Sequence, residues 1–319
     1  MDVQPPSDRS HQAIRSTMGT MIQRLVYWLS EHPAIIKFRW SPTQSWGSTW
    51  SFLLTSMAFY LTLSLVLHLI LVLFRRRRPV PLGPIPAVYS LSMALISAVI
   101  FTGTLFSAAA EIRDTRWFWR RSKTPLQWLL CFPLGTRPSG RAFFWSYAYY
   151  LSRFLHMFRT YFTILEHRKL GLLNIFNNLM LLCMSFLWLE FSQSFQLVEI
   201  MLATLVYSVV YGYKFWTAIG LPSTCFPFVL SCQMVLLGSN VLCHVGVLLL
   251  HLRKGGCNGI GAWIFNSVLN AAILLLFVNS FVRKMHLRRR HVEDDDSVLH
   301  SCSASEETEV ENRIKDKNL

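Results

Sequence analysis

The chain has 319 residues, 52% of them hydrophobic, and a mean hydropathy of +0.35, which excludes an ordinary soluble domain. Its formal net charge is +14, from 31 Lys plus Arg against 17 Asp plus Glu. Nucleic acid is an obvious partner for such a balance, but no binding motif accompanies it and the charge sits mainly beside apolar runs, which points to a membrane instead.

In chain order, residues 1–50 read as a polar and interfacial segment. Asp2, Pro5, Pro6, Asp8 and Arg9 interrupt any apolar core that a cleavable signal would need. The stretch 22–40, with Trp28, Trp40 and mixed charges, suits a segment lying along the membrane surface. Seven runs of about 20 residues then follow, each long enough to cross a bilayer as a helix. They cover 51–74, 87–110, 143–165, 170–189, 195–216, 226–252 and 262–282. The expected fold is all-α, a polytopic membrane protein with a seven-helix domain over 51–282. Residues 283–319, basic and then acidic, read as a disordered tail.

An odd number of spans places the two ends of the chain on opposite sides. The arginines at 75–78, Arg168 with Lys169, and the cluster of Arg283, Lys284 and 288–290 share one side, which favours a cytosolic C-terminus. The loop 111–141 opposes this with Arg113, Arg116, Arg120, Arg121, Lys123 and Arg137. Lys315 and Lys317, three and five places from the last residue, look like a dilysine retrieval signal of endoplasmic-reticulum membrane proteins.

The first, second and seventh spans are close to pure apolar anchors; the third is not. Arg153, His156, Arg159 and Thr160 lie at i, i+3, i+6 and i+7, a polar stripe on one face. A cation in hydrocarbon costs roughly 2.5–3.5 kcal/mol on the translocon scale. A water-filled electropositive vestibule that receives an anion explains the stripe. So does the plainer alternative, in which Arg153 snorkels or pairs with Glu199 of the fifth span.

The fourth span contains Asn174, Asn177 and Asn178 at i, i+3 and i+4, on one face of a single turn. Hydrocarbon satisfies none of an amide's hydrogen-bonding groups, so three together are expected to face protein or a wet cavity. Cys183 follows one and a half turns later. Cys183, Cys232 and Cys243 have apolar packing as their default role. In the fifth span Tyr207 and Tyr211 share a face, with Lys214 one further turn along. The sixth holds Gln233, Asn240, His244 and His251, and the seventh Asn266 and Asn270. His244 and His251 lack a third ligand at convincing spacing, so no metal is expected. Cys131 and Cys257 fall in connections on the same side, where a disulfide can form if that side is the lumen. The glycine-rich stretch 255–261 follows a membrane helix rather than a strand, and reads as a flexible connection.

From Phe144 to Gln233 the order of these signals resembles the ELO family of very-long-chain fatty acid elongases, particularly its plant ELO-like branch. Tyr149, Tyr150, Leu151, Ser152, Arg153 and Phe154 are similar to the stretch that opens the family's core. Thr160, Tyr161 and Phe162 match part of its Asp-Thr-x-Phe element. Arg168, Lys169 and the asparagine turn stand at the histidine box, followed by Trp188. The run 207–213 with Gly220 resembles the second polar helix, and Gln233 falls where the family has a glutamine.

The resemblance implies an endoplasmic-reticulum enzyme of very-long-chain fatty acid and sphingolipid metabolism. Its spans would enclose an acyl-chain tunnel, and it would need no cofactor. It would condense a long-chain acyl-CoA with malonyl-CoA, giving a 3-oxoacyl-CoA two carbons longer, CO2 and CoA. Imidazoles of a His-x-x-His-His box would carry that chemistry. Here Asn174, Asn177 and Asn178 occupy the box. His156 stands where the family has glutamate, Arg159 where it has an acidic residue, and Tyr207 where it has a further histidine.

Three readings follow. One is a rearranged condensing enzyme with His156 as base and Cys183 as nucleophile. The second is a non-catalytic relative that binds acyl-CoA or fatty acid and assembles with active elongation enzymes. In both, Arg153, Arg159, Thr160, Tyr207, Tyr211, Lys214 and Gln233 form the binding set. The third is a seven-span receptor or transporter, against which the basic third span and the dilysine tail argue.

Overall fold

A helix that crosses hydrocarbon satisfies its own backbone and needs no polar face, and the first long helix has none. The structure is a computed structural model describing residues 20–21, 23–74, 82–118, 125–166, 172–221, 226–272, 274–275 and 279. Helix α1, Trp50–Leu73, starts at Thr49, whose hydroxyl accepts from the Phe52 N–H at 3.3 Å. It is apolar on every side and buries only Leu53, Tyr60, Ser64 and Leu71, leaving Leu54, Phe59, Leu65 and Leu69 exposed. That single seam packs on the bundle, and the remaining surface suits lipid.

Helix α2, Ile85–Phe118, has 34 residues. At 1.5 Å per residue it runs about 51 Å, longer than the ~30 Å hydrocarbon layer. One seam is built from small or slim residues, with Ser90, Met93, Ser97, Ile100, Thr104 and Ser107 all buried. Ser90 and Thr104 turn their hydroxyls back to the carbonyls of Pro86 and Ile100, both at 2.7 Å, so the seam packs without orphaned donors. Gly103 lies against the Trp145 indole, where even a methyl group would collide.

After the short α3 (Pro125–Leu130) come α4 (Arg141–Leu165), α5 (Leu172–Glu190), α6 (Gln196–Ala218) and α7 (Phe226–Lys254). The apolar helix Ile260–Ala272 follows as α8. Helix α4 differs from α1 in having a strongly one-sided apolar pattern, and it buries Tyr149, Arg153, His156 and Thr160. The apolar core centres on Leu53, Phe132, Tyr150, Leu182, Phe186 and Leu189.

Three connections are fastened together at one end of the bundle. Cys131 and Cys257 form a disulfide with their Cα atoms 5.1 Å apart. Phe132 N–H donates to Ser194 Oγ at 3.0 Å, and Asn258 N–H donates to the Phe132 carbonyl at 2.9 Å. The Asn258 amide also donates to the carbonyls of Phe191 and Ser192, both at 3.1 Å. These bonds hold a tight α5–α6 turn in which Ser192 and Phe195 take φ of 44° and 63°. Gly259 is required beside it, because φ is +69° and a Cβ would meet the Gln193 backbone. The glycine-rich connection is thus packed and bonded at this point rather than flexible.

The N-terminal segment joins the same end. Trp145 Nε1 donates to the Leu29 carbonyl at 2.9 Å, and Trp40 Nε1 donates to Glu190 Oε2 at 3.0 Å. Trp28 is exposed, as an interfacial residue should be, whereas Trp40 is buried in the core. Residues Met1–Ser267 form one compact unit and Val268–Leu319 a second.

Among the described residues, four helical stretches are each long and apolar enough to cross a membrane: Trp50–Leu73, Ile85–Asp114, Gln196–Ala218 and Met234–Arg253. The expected third and fourth spans correspond to α4 and α5, and the expected seventh begins with α8. Most of the chain beyond Ala272, with Lys315 and Lys317, lies outside the described residues.

Candidate functional site

The polar stripe of α4 does not act as one surface. Arg153, His156 and Thr160 are buried at 3%, 7% and 5% exposure, whereas Arg159 is exposed. The spacing explains the split: i, i+3 and i+7 stay on one face, while i+6 drifts toward its edge.

Arg153 is held by aromatic rings and a histidine rather than by a carboxylate. Its guanidinium carbon lies 4.2 Å from the Tyr149 ring centroid and 4.7 Å from that of Tyr207. Nη2 donates to His156 Nε2 at 2.8 Å. The expected alternative of an Arg153–Glu199 ion pair is not formed: the Arg153 guanidinium bonds to His156, and Glu199 Oε2 has no partner among the described residues. Arg153 Nε is buried and has no protein partner.

These contacts fix the state of His156. A guanidinium only donates, so Nε2 must be the acceptor and the proton of the neutral ring sits on Nδ1. Nδ1 lies 2.8 Å from the Tyr211 hydroxyl and donates to it. The imidazole therefore has no spare lone pair. That opposes the expected role of His156 as a base, because its one basic nitrogen is occupied by a permanent cation.

Tyr211 opens onto a cavity of about 400 Å³ between α2, α4 and α6. Its walls include Tyr89 and Ser90, then Arg159, Phe162 and Glu166, then Tyr211 and Lys214. Two of the predicted cations, Arg159 and Lys214, thus meet at one mouth, with Lys214 Nζ 5.1 Å from the Tyr211 ring. The Tyr89 ring packs 6.0 Å from that of Tyr211, and its hydroxyl donates to the Leu155 carbonyl at 2.9 Å. The cavity sits where α2 begins and where α4 and α6 finish, the end of these helices remote from the Cys131–Cys257 bond. A second cavity, of about 580 Å³, lies at the disulfide end beside Lys37, Arg39, Glu111 and Arg141.

The asparagine turn divides in the same way as the α4 stripe. Asn178 donates to Thr160 Oγ1 at 3.1 Å and to the Tyr60 hydroxyl at 3.3 Å, while the two hydroxyls lie 2.7 Å apart. Asn177 is half-buried and Asn174 exposed. The expectation that all three face an interior fails for Asn174, which stands in the first turn of α5, where a helix end reaches water. Cys183 is half-buried against the apolar core, and among the described residues no base is hydrogen-bonded to it, so it packs as a small hydrophobe. Gln233 falls within α7, and its side chain lies outside the described residues.

Sequence reasoning missed Tyr60, Tyr89 and Tyr149, the first two because their helices look like plain anchors. A phenol in mid-span needs a partner for its hydroxyl, and that was the available signal. Among the described residues, no group of three His, Cys, Asp or Glu could hold a metal ion.

The site thus combines a buried cation, a cationic mouth and a polar asparagine turn. The chain is 63% identical over 276 residues to "Fatty acid elongase 3-like" of Arabidopsis thaliana, covering 85% of this chain and 96% of that protein. It is 23% identical over 255 residues to a "Putative fatty acid elongase" of Dictyostelium discoideum, covering 79% and 81%. No solved structure matches. The model of the GNS1/SUR4 family, ELO, matches residues 45–293, which is most of the chain and all of the helices that build the site. The protein belongs to the ELO family.

Proposed function

We propose that this protein binds long-chain acyl-CoA in the endoplasmic-reticulum membrane and serves fatty acid elongation as an acyl-CoA-binding partner of active condensing enzymes. The observation that carries this is the cationic mouth at Arg159 and Lys214, leading by way of Tyr211 and His156 to the carboxylate-free Arg153. Phosphates of CoA suit the mouth, and a thioester or carboxylate oxygen suits the unfilled Arg153 Nε.

Sidedness supports the reading. Disulfides persist in oxidising compartments, so the Cys131–Cys257 end belongs in the lumen. The mouth then faces the cytosol, where acyl-CoA is met. Seven spans would carry the chain to a cytosolic C-terminus bearing Lys315 and Lys317, where a dilysine signal is read.

The chemistry supports binding over turnover. Asn178 is engaged with Thr160 and Tyr60, His156 has no free lone pair, and Cys183 has no base. A second reading, decarboxylative condensation with malonyl-CoA, is favoured by Tyr211 alone. That hydroxyl accepts from His156 and lines the cavity, where its own proton can meet a developing oxyanion.

The test uses purified full-length protein in nanodiscs. Long-chain acyl-CoA is expected to bind better than the free fatty acid, and Arg159→Gln with Lys214→Gln to weaken only the CoA ester. Labelled malonyl-CoA is expected to yield no 3-oxoacyl-CoA. Product formation that disappears in Tyr211→Phe establishes the second reading, and an absence of acyl-CoA binding refutes the first.

A further inference from the structure

The inward face of α6 does not end at Tyr207. Gln196, Glu199, Ala203, Tyr207 and Tyr211 follow one another at intervals of three and four residues, which keeps them on one side of the helix. The lower half of this stripe belongs to the site already described. The upper half, beside the disulfide end, has no role in it.

That upper half holds unfilled hydrogen-bonding capacity. The Gln196 side chain is wholly buried, and neither its oxygen nor its nitrogen has a partner among the described residues. Glu199, one turn below, lies beside Tyr149 of α4 and Asn240 of α7, and its Oε2 is unpartnered. Trp188 stacks on Tyr149 with ring centroids 5.7 Å apart, and its buried Nε1 has no acceptor among the described residues. From the other side, the His244 ring lies 4.7 Å from Phe195, the residue next to Gln196, and 5.9 Å from Trp263. His244 Nδ1 donates to the Asn240 carbonyl at 2.9 Å, which leaves Nε2 an acceptor without a donor. Trp263 Nε1 is a donor without an acceptor.

Buried polar groups are almost always paired, and an isolated one in a membrane bundle is costly. Several around one α6 turn call for a common occupant. Their character limits it: two indole N–H groups and an amide N–H donate, while an amide oxygen and an imidazole nitrogen accept. Glu199 is the single ionisable carboxyl among them. A phosphate or an ammonium would suit only half of this set. A hydroxyl, which donates one bond and accepts two, can engage members of both kinds.

We propose that these groups form a second binding site, specific for a hydroxyl group, which receives the hydroxylated far end of a long acyl chain. The proposal rests on the acyl-CoA-binding reading above. The geometry agrees with a chain bound head-first at the cytosolic mouth. Gln196 and Lys214 are separated by 18 positions on one helix, about 27 Å at 1.5 Å per residue, the span of a long acyl chain rather than a short one. Water carries the same hydroxyl chemistry and is the other source the experiment must separate.

Full-length protein in nanodiscs is titrated with saturated acyl-CoA and with ω-hydroxy acyl-CoA of equal length, over a series of chain lengths. The expected result is about tenfold tighter binding of the ω-hydroxy ester at the lengths that reach Gln196, equivalent to ~1.4 kcal/mol, and no preference at short lengths. Gln196→Leu and Trp188→Phe should remove the preference while plain acyl-CoA still binds. Gln196→Leu removes unpaired polar atoms at nearly constant volume, so it should fold and melt no lower than the wild type. Equal affinity of the two esters at every length means that water alone satisfies these groups, and overturns the proposal while leaving acyl-CoA binding intact. A preference that survives in both variants places the hydroxyl elsewhere and also overturns it. Failure of every acyl-CoA to bind refutes the function on which it rests.

Discussion

Replacing Arg153 by Met separates a structural cation from a receptor for ligand. Moving an arginine into the bundle costs roughly 2.5–3.5 kcal/mol on the translocon scale. Against this stand the two ring contacts, at 4.2 and 4.7 Å from Tyr149 and Tyr207. Desolvated cation–π contacts contribute about 1–2 kcal/mol each. The bond to His156 Nε2 at 2.8 Å adds a charge-assisted interaction, worth about 1.5–3 kcal/mol. The contacts offset this cost and exceed it by about 0–4.5 kcal/mol, and no carboxylate is stranded by the change. Met fills most of the volume, and the main loss is the orphaned His156 acceptor, about 1–3 kcal/mol. Arg153→Met should therefore lower stability by only ~1–3 kcal/mol in thermal or denaturant unfolding in nanodiscs. Loss of a charged contact to ligand should instead weaken acyl-CoA binding by about 10- to 150-fold. Isothermal titration of the folded variant reads that directly. A variant that unfolds readily but, where folded, binds acyl-CoA like the wild type would refute the reasoning and make Arg153 a purely structural residue.

The disulfide closes a separation of 126 residues. Loop-closure entropy alone puts its contribution at about 5 kcal/mol as a ceiling, so Cys131→Ser should lower the melting temperature, and maleimide tagging of Cys257 should require prior reduction in the wild type. Gly103→Ala drives a methyl into the Trp145 indole; overpacking of about 1–3 kcal/mol is expected, measured as a fall in melting temperature that Trp145→Leu partly restores. Asn178→Leu should cost ~1 kcal/mol through its lost bonds to Thr160 and Tyr60. Asn174→Leu, at an exposed position, should be near neutral, and unfolding free energies of the two variants side by side test the division of the turn.

Much of the site was legible as composition within spans. Consecutive turns of α4 carrying Arg153 and His156, with Thr160 on the same face, announce an interior, because a cation and an imidazole are costly in lipid, and the tyrosines of α6 answer at matching spacing. Family membership was legible too, from the order of polar signals between Phe144 and Gln233 that the family model then matched. What spacing could not give was direction. Arg159 and Asn174 lie within one or two turns of buried partners yet are exposed, because helical rotation and nearness to a helix end decide the matter one residue at a time.

The sequence by itself determined an all-helical membrane protein, since length, apolarity and periodicity are properties of single segments, and the order of its polar residues placed it in the ELO family. Only the tertiary structure decided which groups meet. Tyr60, from a helix that looks like a plain anchor, bonds across to Thr160, and Cys131 joins Cys257 over a separation of 126 residues. Arg153 takes the one lone pair His156 has to offer. Each pairing depends on how the helices pack and turn against one another, which no single segment encodes.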